Sequence, residues 1–409
     1  MITDAVRSLL QWSWSWSWSH SNRRKHDALE SEKKDRGKGE QPSEMTGEER
    51  RAERLREQLS AEVASLEAVR QDAWKGVPPS LRPEVWKLLL GHLPASKRRR
   101  EQSLQQKRQA YRRWLSWYCS PSGELPRNRG GSSAAQRAED DEEADGGALK
   151  QIRVDAPRTA PDVAFFRLDP VKASVERVLY VWAVRHPASG YVQGINDLLT
   201  PFLSAFLSEH FHSADMSQWD LSYLNRDTVL DVEADCYWCL ERMLNAIQDH
   251  YTPDQPGIHA RKHKMEEVLG RVHPEFASHL HNQQIDLMQF AFRWINCLLL
   301  RELPFRLALR LWDTFIAEGH AFRDFLPYVC AALLDAFSEQ LMQLDFADAL
   351  MFLQKLPTAE WEERALEAVL SQAYVWRETF ESARAHLATS PSAATAHQRS
   401  GGWSTDGRR

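Results

Sequence analysis

Residues 290–334 read FAFRWINCLLLRELPFRLALRLWDTFIAEGHAFRDFLPYVCAALL, and three apolar segments within this stretch decide the fold class. Residues 290–300, 307–316 and 322–334 are apolar on nearly every side, which is typical of helices at the centre of a protein. Strand patterns are almost absent from the remainder of the chain. We therefore predict an all-α protein with these segments in its core.

The composition is that of an ordinary globular protein. Of the 409 residues, 43% are hydrophobic and 27% are charged, so there is enough apolar material for a sizeable core. A net charge of −5 argues against a protein that binds nucleic acid with its whole surface. No run of 18 apolar residues is present, and the amino terminus lacks a continuous apolar stretch, so neither a membrane span nor a secretory signal is expected.

The chain divides into a main domain and flanking segments. Residues 1–45 and 388–409 are predicted to be disordered tails, and residues 72–387 to form the main domain. In the first tail, four tryptophans alternate with serines at Trp12, Trp14, Trp16 and Trp18. A low-complexity tract is the favoured interpretation, and contact of these indoles with a lipid surface is the alternative.

Residues 46–71 are predicted to form one amphipathic helix. Thr46 and Glu49 match a capping box at its start. An apolar stripe follows at helical spacing, made of Leu55, Leu59, Val63, Leu66 and Val69. Farther along, residues 120–148 are rich in glycine, serine and acidic groups and are predicted to be a disordered insert.

Five cysteines and a C-x-x-C pair do not indicate a metal site. Cys236 and Cys239 lie in an apolar helical segment, and no second pair follows at zinc-binding spacing. Buried, reduced thiols are the favoured interpretation.

Two short segments contain the polar groups most suited to chemistry. Residues 152–158 read Ile-Arg-Val-Asp-Ala-Pro-Arg, and residues 191–194 read Tyr-Val-Gln-Gly. Arg158 carries a permanent charge on a planar fork of donors, and the preceding proline stiffens its loop. Gln193 offers both an acceptor and a donor, with glycines at 190 and 194 allowing tight backbone geometry. Taken alone, Arg158 would be a surface arginine paired with Asp155 or Asp162, and Gln193 would be a capping or turn residue.

Four blocks in order place these residues in a wider pattern. Gly76-Val77-Pro78 and the R-x-x-x-W of Arg82 and Trp86 come first, and I-x-x-D-x-x-R and Y-x-Q-G follow. The last block comprises Arg301-Glu302-Leu303-Pro304 and Arg310-Leu311-Trp312-Asp313. Together they resemble the TBC domain of GTPase-activating proteins for Rab GTPases, and most of all the member-22 subgroup. The resemblance implies an all-α domain made of two helical subdomains. Six residues are interpreted as framework, namely Arg82, Trp86, Arg293, Trp294, Trp312 and Asp313.

The resemblance implies that Arg158 and Gln193 are catalytic fingers inserted into the nucleotide site of a Rab GTPase. The arginine would neutralise charge on the transferred phosphoryl group, and the glutamine would orient the attacking water. Asp155 is expected to orient or anchor Arg158. Supporting or partner-binding roles are further expected for Ile152, Tyr191, Gly194 and Asn196.

The same resemblance implies that the protein has no cofactor of its own and is not by itself a hydrolase. The GTP and Mg²⁺ belong to the partner, in keeping with the lack of a phosphate-binding G-x-x-x-x-G-K-[ST] loop. A cytoplasmic location, peripherally on Golgi or endosomal membranes, is expected, with no nucleic acid as partner. The alternatives are a catalytically silent adaptor that binds a GTPase or a membrane-associated partner, and a membrane-tethering scaffold.

Overall fold

The computed structural model describes residues 45–120, residue 125 and residues 139–388. The predicted tails 1–45 and 388–409 therefore lie outside the described residues, apart from residues 45 and 388. Most of the predicted insert, through residue 138, lies outside them as well. Within the described ranges, no helix is both long and apolar enough to cross a membrane.

The described residues form sixteen α-helices, joined by turns and short 3₁₀ segments, and they contain no β-strand. The prediction of an all-α fold is confirmed. The helices are α1 (Gly47–Ser60), α2 (Leu66–Trp74), α3 (Arg82–Leu89), α4 (Arg100–Tyr118), α5 (Glu139–Asp155), α6 (Asp169–Arg185), α7 (Ile195–Leu207), α8 (Arg226–Ala246), α9 (Pro256–Val272), α10 (Pro274–Asn282), α11 (Met288–Asn296), α12 (Phe305–Glu318), α13 (Phe322–Asp335), α14 (Ser338–Leu341), α15 (Phe346–Gln354) and α16 (Glu363–Ala388).

The helices pack as two groups within one compact unit that begins at Glu48. Helices α4 to α8 pack on one another in the first group, and α9, α10, α11, α13, α15 and α16 make up the second. Helix α12 contacts α2 and α3 on one side and α13 and α16 on the other. The three apolar segments correspond to α11, α12 and α13, whose inward faces are fully buried as predicted. Helix α11 is shorter than its apolar segment, because the chain turns after Asn296.

The R-x-x-x-W block is held to α12 by one buried carboxylate. Arg82 donates from two nitrogens to the two oxygens of Asp313, each at 2.9 Å. The indole of Trp86 donates to the same carboxylate at 2.8 Å. Since Asp313 is fully buried, its charge needs these donors. The interpretation of Arg82, Trp86 and Asp313 as framework is confirmed.

The predicted continuous helix 46–71 is wrong. Helix α1 ends at Ser60, and α2 begins at Leu66 after its own cap, the Ser65 hydroxyl, which accepts from the backbone of Ala68. Val63, assigned to the apolar stripe, is 66% exposed and forms an isolated bridge with Ser96. The spacing of apolar residues runs through the break because both helices bury one face.

The predicted disorder of 120–148 is wrong for its last part, because α5 begins at Glu139 and includes the acidic run. Acidic residues favour the amino-terminal turn of a helix, where the helix dipole is positive. Helix α4 carries two arginines that contact a neighbouring helix. Arg108 and Arg112 form ion pairs with Asp227, Asp231 and Asp235 of α8.

The C-x-x-C pair lies on α8, and both thiols are fully buried and unbonded to each other. Burial raises the pKa of both thiols, which keeps them protonated at neutral pH. The interpretation of Cys236 and Cys239 as buried thiols is confirmed.

One buried histidine predicts acid sensitivity of the fold. Burial first, and then the charge of Arg261, lower the pKa of His250 to about 4, against about 6.5 in an unfolded chain. The unfolded state therefore binds a proton that the folded state does not between these values. The contribution of neutral His250 to the free energy of unfolding is complete above pH ~6.5 and is lost as the pH falls toward 4. The loss amounts to about 3 kcal/mol.

The measurement is the free energy of unfolding by denaturant at pH 7 and at pH 4.5. We expect His250→Phe, which cannot titrate, to show a smaller loss than the parent protein. His263→Gln is the matched control, since the His263 side chain is 84% exposed. An equal pH dependence in His250→Phe and the parent would contradict the assignment.

Candidate functional site

Arg158 lies at the end of a 3₁₀ turn, Ala156–Arg158, that continues directly from α5. Its side chain is 50% exposed, while that of Asp155 is buried. The Nε of Arg158 donates to Oδ1 of Asp155 at 2.8 Å, and a terminal nitrogen contacts the same oxygen. The buried carboxylate thus holds an otherwise exposed guanidinium. An orienting role for Asp155 remains a prediction, and this geometry supports it.

The carboxylate of Asp155 also joins the two motifs. Its second oxygen accepts a hydrogen bond from the hydroxyl of Tyr191 at 2.8 Å. Burial, and next the hydrogen bond to Asp155, raise the pKa of Tyr191 well above its usual value, so the phenol remains a donor at neutral pH. Gln151 donates to Oδ1 at 3.2 Å. Arg158 and Tyr191 therefore bind the same carboxylate, although Arg158 is 3 residues and Tyr191 is 36 residues from Asp155 in the sequence.

Asn196 provides a second connection between the motifs. Its Nδ2 donates to Oγ1 of Thr159 at 2.9 Å, and the Thr159 hydroxyl donates to the carbonyl of Asp155. Its Oδ1 accepts the backbone N–H of Gly194 at 3.1 Å. Because Asn196 is buried, it supports the loop and is not a contact surface for a partner.

Gln193 lies in an exposed turn between Gly190 and α7. Both flanking glycines have positive φ, +61° at Gly190 and +107° at Gly194, a conformation that favours glycine. The amino-terminal cap of α7 is Gly194, and the hydroxyl of the nearby Ser189 donates to the carbonyl of His186. The glutamine backbone is further held by Asn296, whose Nδ2 donates to the Gln193 carbonyl at 3.1 Å.

The expected site residues fall into exposed and buried sets. Arg158 and Gln193 are exposed, and Tyr191 is half-buried. The other four, Ile152, Asp155, Gly194 and Asn196, are buried, so any role they have is structural support. Ile152 in particular is part of the hydrophobic core beneath the end of α5.

Three further residues at the site were not identified from the sequence. Thr159 accepts a hydrogen bond from Asn196 and donates one to the carbonyl of Asp155. The sequence feature that could have indicated this role is its position directly after Arg158. Asp197 is buried, accepts a hydrogen bond from the backbone of Ala160, and lies 3.8 Å from a nitrogen of Arg301. Burial is the main cause of its raised pKa. Asn296 is 103 residues from Gln193, so no local spacing indicated it.

Comparison with known proteins places this site in a family. The model of the Rab-GTPase-TBC domain matches residues 79–342. The chain is 41% identical over 330 residues to the GTPase-activating protein gyp1 of Schizosaccharomyces pombe, covering 80% of this chain and 61% of that protein. It is 39% identical over 340 residues to human TBC1 domain family member 22B, covering 83% of this chain and 64% of that protein.

A solved structure also resembles this chain, in fold as well as in sequence. The crystal structure of the Ypt/Rab-GAP domain of Gyp1p superposes with a TM-score of 0.74 at 37% identity, covering 82% of this chain and all of that one. The chain spans a little under two thirds of the length of the curated relatives, and the shared part includes both motifs. With the helical fold, the four sequence blocks and a family model over most of its length, this chain belongs to the Rab-GTPase-TBC domain family.

Proposed function

We propose that this protein accelerates GTP hydrolysis by a Rab-family GTPase, to which it supplies Arg158 and Gln193. The observation that carries the proposal is the carboxylate of Asp155, which binds Arg158 through one oxygen and Tyr191, two residues before Gln193, through the other. Both finger side chains are exposed above this buried support, where a second protein has access to them. A relative that shares this part of the chain is named a GTPase-activating protein.

The chemistry follows from the two side chains. Charge builds on the phosphoryl oxygens and the bridging oxygen as the bond to the γ-phosphate breaks. A guanidinium neutralises that charge with several donors held in one plane. The carboxamide of Gln193 accepts a hydrogen bond from the attacking water and donates one to a phosphate oxygen, which orients the water.

The nucleotide and its Mg²⁺ would belong to the partner, so this protein would complete an active site and would not hydrolyse GTP alone. We place the reaction in the cytoplasm, at the periphery of Golgi or endosomal membranes, where Rab GTPases reside. Microscopy of the tagged protein with markers of these compartments tests the location.

The decisive experiment is single-turnover hydrolysis across a panel of GTP-loaded Rab proteins, with and without the purified protein. We expect at least one Rab to be accelerated by a factor on the order of 10³ or more. Binding to a Rab without any acceleration would overturn the proposal in favour of the silent adaptor. Hydrolysis by the protein alone would contradict the claim that it only activates.

A further inference from the structure

Resting on the proposed function, we infer that Asn296 is a positioning residue for Gln193. Asn296 is the last residue of α11 and belongs to the second group of helices. It acts by fixing the peptide group from which the glutamine side chain is presented. The Gln193–Gly194 peptide group is bound at both of its polar ends. Its carbonyl accepts from Nδ2 of Asn296 at 3.1 Å, and its N–H donates to Oδ1 of Asn196, also at 3.1 Å.

Two bonds on opposite edges of one peptide plane remove its freedom to rotate. A peptide group held at one edge only can still tilt about that bond, and a tilt changes the direction of the adjacent Cα–Cβ bond. Because a water-orienting group loses efficiency when it is displaced by about 1 Å, the orientation of this plane determines the efficiency of Gln193. Asn196 is only two residues from Gly194 in the sequence, whereas Asn296 reaches the Gln193 carbonyl from α11.

The contact between Asn296 and the turn is close. Asn296 is 3% exposed, so its amide has lost its contact with water and needs a partner. A Cβ atom at position 194 would lie 2.5 Å from the Nδ2 of Asn296. Glycine at 194 therefore provides the positive φ of the turn and also the space that the asparagine occupies.

The backbone around Asn296 is strained in a way that fixes where α11 ends. Leu298 and Leu299, both buried, have φ of +48° and +61°, which is rare for bulky residues. Such strain persists only where surrounding packing determines it. Here the N–H of Leu299 donates to the carbonyl of Trp294 at 2.9 Å, and the indole of Trp312 donates to the carbonyl of Leu298.

A third contact fixes the position of Asn296 itself. The hydroxyl of Tyr251, also buried, donates to the Asn296 carbonyl at 3.1 Å. The end of α11, the strained turn that follows it and the Tyr251 hydroxyl together hold the Asn296 side chain within hydrogen-bonding distance of the Gln193 carbonyl. The glutamine loop, which belongs to the first helical group, is thus set in place by the second.

The test is Asn296→Asp, which keeps the shape of the side chain but replaces the donor by an acceptor facing the carbonyl. We expect kcat for the stimulated Rab to fall about 10- to 100-fold with little change in KM. In a Gln193→Ala background the same substitution should change kcat less than about 2-fold, because no glutamine remains to be positioned. Asn282→Asp, an exposed amide on α10, is the matched control and should leave both constants unchanged.

A measurement that does not depend on activity completes the test. Hydrogen exchange of the peptide containing Gly194 should be faster in Asn296→Asp and in Asn296→Ala than in the parent, with circular dichroism and unfolding midpoints showing that both variants fold. Equal losses in the two backgrounds, an increase in KM alone, or unchanged exchange at Gly194 would each overturn the inference. If the parent protein accelerates no Rab, the proposed function fails; an active parent with an unaffected variant overturns only the role of Asn296.

Discussion

Replacing Arg158 by alanine is expected to reduce the stimulated rate of GTP hydrolysis by about 10³-fold while the domain remains folded. The loss is large because the guanidinium interacts with charge that is fully developed only in the transition state. The fold should tolerate the change, since the side chain is half exposed. Such a partly exposed ion pair contributes roughly 0–1 kcal/mol. Asp155 would also keep its bonds to Tyr191 and Gln151.

Arg158→Lys tests whether the stimulated rate depends on the planar guanidinium group or only on its positive charge. A lysine ammonium is a compact charge that cannot bridge two oxygens in one plane, so we expect it to restore only a small part of the lost rate. The readout is the single-turnover rate at saturating activator, with Arg364→Ala, an exposed arginine on α16, as the matched control. Full activity of Arg158→Lys would contradict the role of the fork, and full activity of Arg158→Ala would remove the residue from the mechanism.

Replacing Gln193 by alanine is expected to cost about 10²-fold in the same rate, the magnitude typical of losing one preorganised donor. Stability should be nearly unchanged because the side chain is exposed, and the backbone bonds to Asn296 and Asn196 do not involve it. Gln193→Glu retains the length and the acceptor but removes the donor. Its negative charge beside phosphate should make it no better than alanine.

The measurement is kcat and KM for the Rab that responds best in the panel. A finger that acts in the transition state lowers kcat and leaves KM nearly unchanged, whereas a simple contact residue would increase KM. Gln340→Ala, an exposed glutamine on α14, is the control for the loss of a surface amide. A normal kcat in Gln193→Ala would show that the partner's own groups orient the water.

Several sequence predictions were confirmed because they depend on short-range patterns. The apolar segments that became α11, α12 and α13 are visible as such in the chain, since a helix that buries most of its surface needs apolar residues on most of its faces. The break between Ser60 and Leu66 was missed because apolar spacing alone does not show where one helix ends and the next begins.

The amino-acid sequence alone determined the all-α class, the two motifs that contain Arg158 and Gln193, and the three-residue spacing that allows Asp155 to pair with Arg158. These depend on helical periodicity and on neighbours within one turn, which residue order defines directly. Only the tertiary structure decided that Tyr191 shares the same carboxylate and that Asn296 holds the carbonyl of Gln193 from 103 residues away. Such contacts follow from how α5, α7 and α11 pack together, because many buried side chains act jointly to set that packing.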